Sequence, residues 1–149
     1  MTAIATKTLY DADFALWIEE TTRALKSGHL AQVDWENLIE EVESLGIRER
    51  HAVESFFVRL LEHLLKRCYV VFPDCYRGWE IEIRNFRNEL KRRLKYSPSL
   101  QRFMAEIRED CYQEALENVQ EDYPQINFPR LCPFPLDIER LLTEKFWES

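Results

Sequence analysis

The chain has little glycine, no excess of positive charge and no long apolar run. Three glycines in 149 residues are too few for the tight turns of an all-β fold. Gly28, Gly46 and Gly78 are also too scattered for a glycine-rich phosphate loop. Lys and Arg number 20 against 27 Asp and Glu, a net charge of −7. An acidic surface repels a phosphate backbone, so a nucleic-acid partner is not expected. No apolar stretch approaches the ~20 residues that span a bilayer, so a membrane is not expected as a partner either.

Cysteine and histidine are sparse too. Cys68, Cys75, Cys111 and Cys132 show no two-residue spacing of the zinc-knuckle or redox type. No signal-peptide pattern opens the chain, so reduced thiols in the cytoplasm are expected. Cys68 and Cys75 flank a loop and have the reach to pair. No Ser-His-Asp order can be read. Cys68 and His63 stand five residues apart, a poor geometry for a nucleophile and its base on one helix.

What is present is apolar and periodic. Apolar residues make up 46% and aromatics 13%, which argues against disorder. The length suits one domain with one core. The expectation is a single domain over residues 1–149, with residues 1–8 a flexible lead-in.

Residues 9–28 read as a first helix, started by Asp11 or Asp13, ended by Gly28, with Phe14, Trp17, Ile18 and Leu25 near helical spacing. Asp34 caps a second, with a stripe of Trp35, Leu38, Ile39, Val42 and Leu45 and a stop at Gly46. A third runs from about Arg48 to Tyr69 with a wide apolar face, as a central helix needs. "VVFPDCYRG" reads as a loop, followed by a fourth helix over 79–95. Ser97 is the expected N-cap and Pro98 the first residue of a fifth helix reaching about Asp122. "YPQINFPRLCPFP" has four prolines in thirteen residues, so an extended segment is expected there, then a short helix over about Leu136 to Leu142. The fold class is therefore all-α, an antiparallel bundle of five to six helices with the short last helix after the Pro-rich stretch.

Placed on helical wheels, Glu36, Glu40 and Glu43 fall opposite the second stripe and read as a solvated face. Other polar residues fall at the core boundary: Glu41, Glu54, His63, Arg67, Arg87 and Glu114. One reading makes them a salt-bridge network, Glu41 or Glu54 with Arg84 or Arg87, and Glu114 with Arg67, since an unpaired buried charge costs several kcal/mol. The sharper reading makes Glu41, Glu54, His63 and Glu114 a metal pocket, as carboxylates and His suit iron, manganese or magnesium in bundle cores. The paired Glu-x-x-His of di-iron bundles is missing. There is only the reversed "HAVE", with His51 turned away from the core. The basic run "RNFRNELKRRLK" reads as a charged solvent face, with a partner surface as its functional alternative. The segment holding Tyr69, Val71, Phe72, Tyr76 and Trp79 is too apolar for a free loop. It tucks under the Pro-rich segment or marks a partner site.

The motifs "YDADFALW", "DWENLIEEVESLG", "HLLK", the Arg-x-Trp of "RGW", "SPSL" and the late "CPF…FW" resemble the bacterial, mainly cyanobacterial, domain of unknown function 29 over nearly the whole chain. The resemblance implies one small all-helical domain in a bacterial cytoplasm and brings no catalytic residue. This chain departs from the family after "HLLK", where it has "RCYVVFPDCYRGW" in place of a polar Trp- and Arg-rich loop. The expected function is a non-enzymatic interaction or regulatory domain, acting on a protein partner or as a homo-oligomer. The alternatives are a metal-dependent bundle enzyme and a small-ligand bundle lined by Trp and Phe. No residue pattern requires a cofactor.

Overall fold

The computed structural model of the chain describes residues 9–148. The flexibility expected of residues 1–8 lies outside the described residues. After a helical turn over residues 9–12 come α1 (Phe14–Ser27), a 3₁₀ turn (Leu30–Gln32), α2 (Trp35–Tyr69), α3 (Pro73–Tyr96), α4 (Leu100–Asp122) and α5 (Ile138–Thr143). The fold is all-α, and no strand occurs among the described residues. Contacts gather into two compact units, Met1–Glu49 and Arg50–Ser149.

In the first unit, Asp13 caps α1 by accepting the Leu16 N–H at 3.1 Å, so of the two candidates it is Asp13 that caps. Gly28 closes α1 with a left-handed φ of 78°, a conformation that glycine adopts without steric cost. Among the described residues of this unit, Trp17, Thr21, Ala24, Val33 and Asp34 are buried. The Trp17 ring meets Tyr10 edge-on at 4.8 Å.

Two expected boundaries are corrected. Gly46 does not stop a helix, because α2 runs unbroken from Trp35 to Tyr69 and Gly46 has no positive φ. Glycine ends a helix only where the chain turns left-handed. Inside a helix it costs ~1 kcal/mol relative to alanine, which the good helix formers around it outweigh. Nor is "VVFPDCYRG" a loop beyond its first residues. Pro73 stands in the first turn of α3 with Asp74 beside it, where proline's missing N–H is not needed and a negative charge suits the helix dipole. At the next junction Ser97 closes α3, its N–H reaching the Arg93 carbonyl, so it is not the N-cap of α4. A turn over Ser97, Pro98 and Ser99 leads in, with the Leu100 N–H bonded to the Ser97 carbonyl at 2.9 Å.

The second unit is the bundle. Val53, Phe57, Leu60, Leu61, Leu64 and Leu65 of α2 pack with Ile83, Phe86 and Leu90 of α3 and Met104, Cys111, Tyr112 and Ala115 of α4. The pairs Phe56–Arg93, His63–Phe86 and Arg67–Glu80 rise along α2 as they fall along α3, so the two helices are antiparallel. The Pro-rich segment runs back along α4. Gln120 donates to the Ile126 carbonyl at 2.8 Å, Tyr112 to that of Pro129, and Arg108 to that of Phe134 at 2.7 Å. These side chains supply the donors that an extended, proline-broken backbone cannot find in itself. Asp137 then caps α5 through the Glu139 N–H, and residues 144–148 return over the bundle.

Gly46 and Gly28 should therefore respond in opposite directions to alanine. A Cβ at Gly46 would meet nothing within 4 Å, so Gly46→Ala should stabilise by about 0.5–1 kcal/mol. Gly28→Ala, at a φ of 78°, should destabilise by about 1 kcal/mol. Urea unfolding of the two variants checks both signs. A loss at Gly46 would mean that the helix breaks there.

Candidate functional site

Three features stand out, and the first is a surface. In the first unit the expected apolar stripes form, but little covers them. Trp35, Ile39, Val42 and Leu45 are 45%, 54%, 59% and 62% exposed. Trp35, Ile39, Val42 and Gly46 lie within an arc of roughly 60° on α2 at 100° per residue. On α1, Phe14, Ile18 and Leu25 share an arc of roughly 40° and are also exposed. The sequence reading took these stripes as core faces. Periodicity shows which face is apolar and does not show what covers it. A smaller patch follows α2, where Tyr69, Val71 and Phe72 are exposed, Val71 at 83%. Trp79 is corrected: it is buried in the core. Tyr76 is half-buried beneath Arg67, and Tyr69 leans edge-on against Phe128 at 6.3 Å.

The second feature is an open acidic cleft of about 700 Å³, lined by His51, Glu54, Glu62, His63, Glu82 and Glu114 among others. Three of the four proposed metal ligands thus share one cleft. Glu41 has a different role, accepting the Tyr10 hydroxyl in the first unit, which raises the Tyr10 pKa to about 12. Among the described residues no three His, Cys, Asp or Glu converge closely enough to hold a metal ion, so the four do not form a ligand set. Glu62 accepts the Asn118 amide at 2.6 Å. His63 donates Nδ1–H to the Arg59 carbonyl at 2.8 Å and stands edge-on to Phe86 at 5.2 Å. Burial lowers its pKa, with the carbonyl opposing.

The third feature is a pair of buried arginines under the C-terminal tail. Arg67 and Arg87 are each 8% exposed. Arg67 bonds Glu80 through Nε at 2.8 Å and the Glu148 carbonyl through Nη2 at 3.1 Å. Its guanidinium lies 3.8 Å from the Tyr76 ring centre and 5.6 Å from that of Trp147. Arg87 bonds the Glu144 carbonyl at 2.6 Å and faces the Phe146 ring at 5.5 Å. The expected pairings are corrected accordingly: Arg67 takes Glu80 rather than Glu114, and Arg87 takes a backbone carbonyl rather than Glu41 or Glu54. Glu54, Glu114 and Arg84 stay on the exposed faces of their helices, where water solvates them and no ion pair is required. Sequence reasoning found the arginines and missed the tail carbonyls, because no residue pattern encodes which backbone oxygen a distant side chain meets.

The four cysteines are free thiols, so Cys68 and Cys75 do not pair. Burial pushes Cys68 up to about 11 and Cys111 up to about 12. Both stay protonated at neutral pH, which denies them nucleophile chemistry. No helix among the described residues is long and apolar enough to cross a membrane.

Two outcomes follow. The folded pKa of His63 lies below its unfolded value of ~6.5, so the unfolded state binds more protons between the two values. Stability is complete above pH ~6.5 and falls as the pH drops toward the lowered folded value. His63→Gln should remove that part of the slope in urea melts taken across pH. Arg67→Ala should cost about 2 kcal/mol, since it removes a buried guanidinium's bonds to Glu80 and the Glu148 carbonyl and frees the tail, while the half-exposed Glu80 carboxylate stays hydrated. Tryptic cleavage after Lys145 should then speed up, and an unchanged rate would refute the clamp.

Residues 9–147 match the model of the family described as Domain of unknown function DUF29, and the chain belongs to that family. No curated protein and no solved structure matches the chain.

Proposed function

We propose that this member of the family is a non-enzymatic interaction domain that works by self-association through the exposed apolar face of its N-terminal unit. One observation carries the reading: two apolar stripes of this unit, Trp35, Ile39, Val42 and Leu45 on α2 and Phe14, Ile18 and Leu25 on α1, are uncovered. Seven large side chains about half exposed amount to several hundred Å², the scale of the largest apolar patch on a typical monomer, which is often functional. That is the scale of one partner's share in a stable interface, roughly 800 Å².

A second copy is the occupant favoured by the unit's own economy of burial. Among its described residues only Trp17, Ala24 and Val33 are buried apolar side chains, too few to hold two amphipathic helices by themselves. Two copies meeting through the same face would bring four helices together around a shared core. The Tyr69, Val71 and Phe72 patch is a second contact region in the same reading. A single domain over residues 1–149 is part of the proposal, supported by a helix that runs unbroken through residue 49. A cytoplasmic setting is supported by the free thiols, which suit a reducing compartment.

Sedimentation velocity across a concentration series tests the proposal. The expected result is a monomer–dimer equilibrium. Ile39→Glu with Val42→Glu should abolish the dimer, because each places a charge in an apolar contact, while helicity stays unchanged. A strictly monomeric wild type would overturn self-association, and a dimer that survives both substitutions would move it to another face.

A further inference from the structure

Arg67 and Arg87 are equally buried, yet only one has a counter-charge. Arg67 has the Glu80 carboxylate. Arg87 has one hydrogen bond among the described residues, to the Glu144 carbonyl, and its Nε is buried with no partner. A guanidinium carries five N–H donors in a planar fork. A buried charge without an anion is costly, and proteins usually pair it or remove it.

The surroundings of Arg87 supply the missing context. A pocket of about 300 Å³ is lined by Arg84, Arg87, Asn88 and Lys91 of α3 with Thr143 and Trp147 of the tail region, and Glu80 is its one carboxylate. Glu80 is already held by Arg67. Three cations therefore face a small cavity whose single acid is engaged, in a chain of net charge −7. The spacing is helical: Arg84, Arg87 or Asn88, and Lys91 stand at i, i+3 or i+4, and i+7, on one face of α3.

We propose that this pocket binds a small oxyanion, a phosphate or a carboxylate group, with Arg87 as its buried counter-charge and Arg84 and Lys91 at its mouth. The planar fork of Arg87 suits two oxygens of such a group, and the apolar walls from Ile83, Leu142 and Trp147 strengthen the attraction by excluding water. Desolvation also lowers the Arg87 pKa, as burial without a counter-ion should. The volume of about 300 Å³ admits a small organic or inorganic anion. The inference rests on residues other than those of the proposed dimer face, so either can fail alone.

The test is isothermal titration of the full chain with sodium phosphate and, separately, sodium succinate, at ionic strength held constant with sodium chloride. Thermal melts are run in the same buffers. Saturable heat and a raised Tm are expected with one or both anions. Phosphate alone would identify a phosphoryl group as the ligand chemistry, succinate alone a carboxylate. Arg84 and Lys91 are exposed, so the double variant Arg84→Ala with Lys91→Ala should fold normally and bind at least about tenfold more weakly. Arg87→Lys, which keeps the charge and loses the fork, should also weaken binding. No saturable response in the wild type to either anion would overturn the proposal, as would a double variant that binds as tightly as the wild type.

Discussion

Burying a guanidinium is the constraint that organises the bundle half of this protein. A charge moved out of water needs hydrogen-bond acceptors around it. The segment after α5 has the complementary problem, since residues 144–148 are neither helix nor strand and their carbonyls need donors. Arg67 and Arg87 solve both at once, taking the carbonyls of Glu148 and Glu144. Aromatic side chains complete the arrangement. Tyr76 and Trp147 flank Arg67, and Phe146 flanks Arg87, so the cations sit on ring faces where their hydration is replaced rather than lost. The tail is thus fixed by charge, and its aromatic residues close over the ends of α2 and α3.

The N-terminal unit obeys a different rule. Helix α1 is capped at both ends, by Asp13 and Gly28, and both helices keep a regular apolar period, yet few of the unit's described side chains are buried. Helix formation and helix burial are separate requirements. Capping and periodicity decide the first, and a partner surface decides the second. Trp35 shows the difference: its indole N–H bonds the Leu30 carbonyl at 3.0 Å, while 45% of the residue remains open. Its polar atom is satisfied and its apolar area is not.

Much of the fold could be read from the residues. The periodicity of α2, α3 and α4 and the proline run before α5 each have one local physical meaning, and the structure follows them. The failures share a cause. Gly46, Pro73 and Gly78 were read as punctuation, but glycine and proline end helices only in a particular backbone conformation or at an interior position. Neither condition is visible in a residue name. At the sites the division is similar. Wheel positions brought Arg67 and Arg87 to the core boundary correctly, because amphipathicity is local. Their partners could not be read, because Glu144 and Glu148 contribute main-chain oxygens that any residue would offer. Trp79 was placed on a surface for the same reason: helix α3 begins six residues before it, and that start turns its face inward.

Charge count is a poor guide to where this protein binds anything. The acidic cleft gathers Glu54, Glu62, Glu82 and Glu114, yet its carboxylates are open to water or, at Glu62, bonded to Asn118. A hydrated carboxylate gains little from an added cation, since it gives up as much solvation as it receives in attraction. Arg87 is the opposite case. It is one charge in a chain of net −7, but burial has already removed its water and the fold returns one carbonyl and the Phe146 ring face, with no counter-charge. An anion reaching it meets a desolvated donor group whose carbon frame the fold already holds, which is the condition under which a buried charge contributes most to binding. Desolvation already incurred by the fold, more than the sign of the surface, sets the ranking of the two pockets.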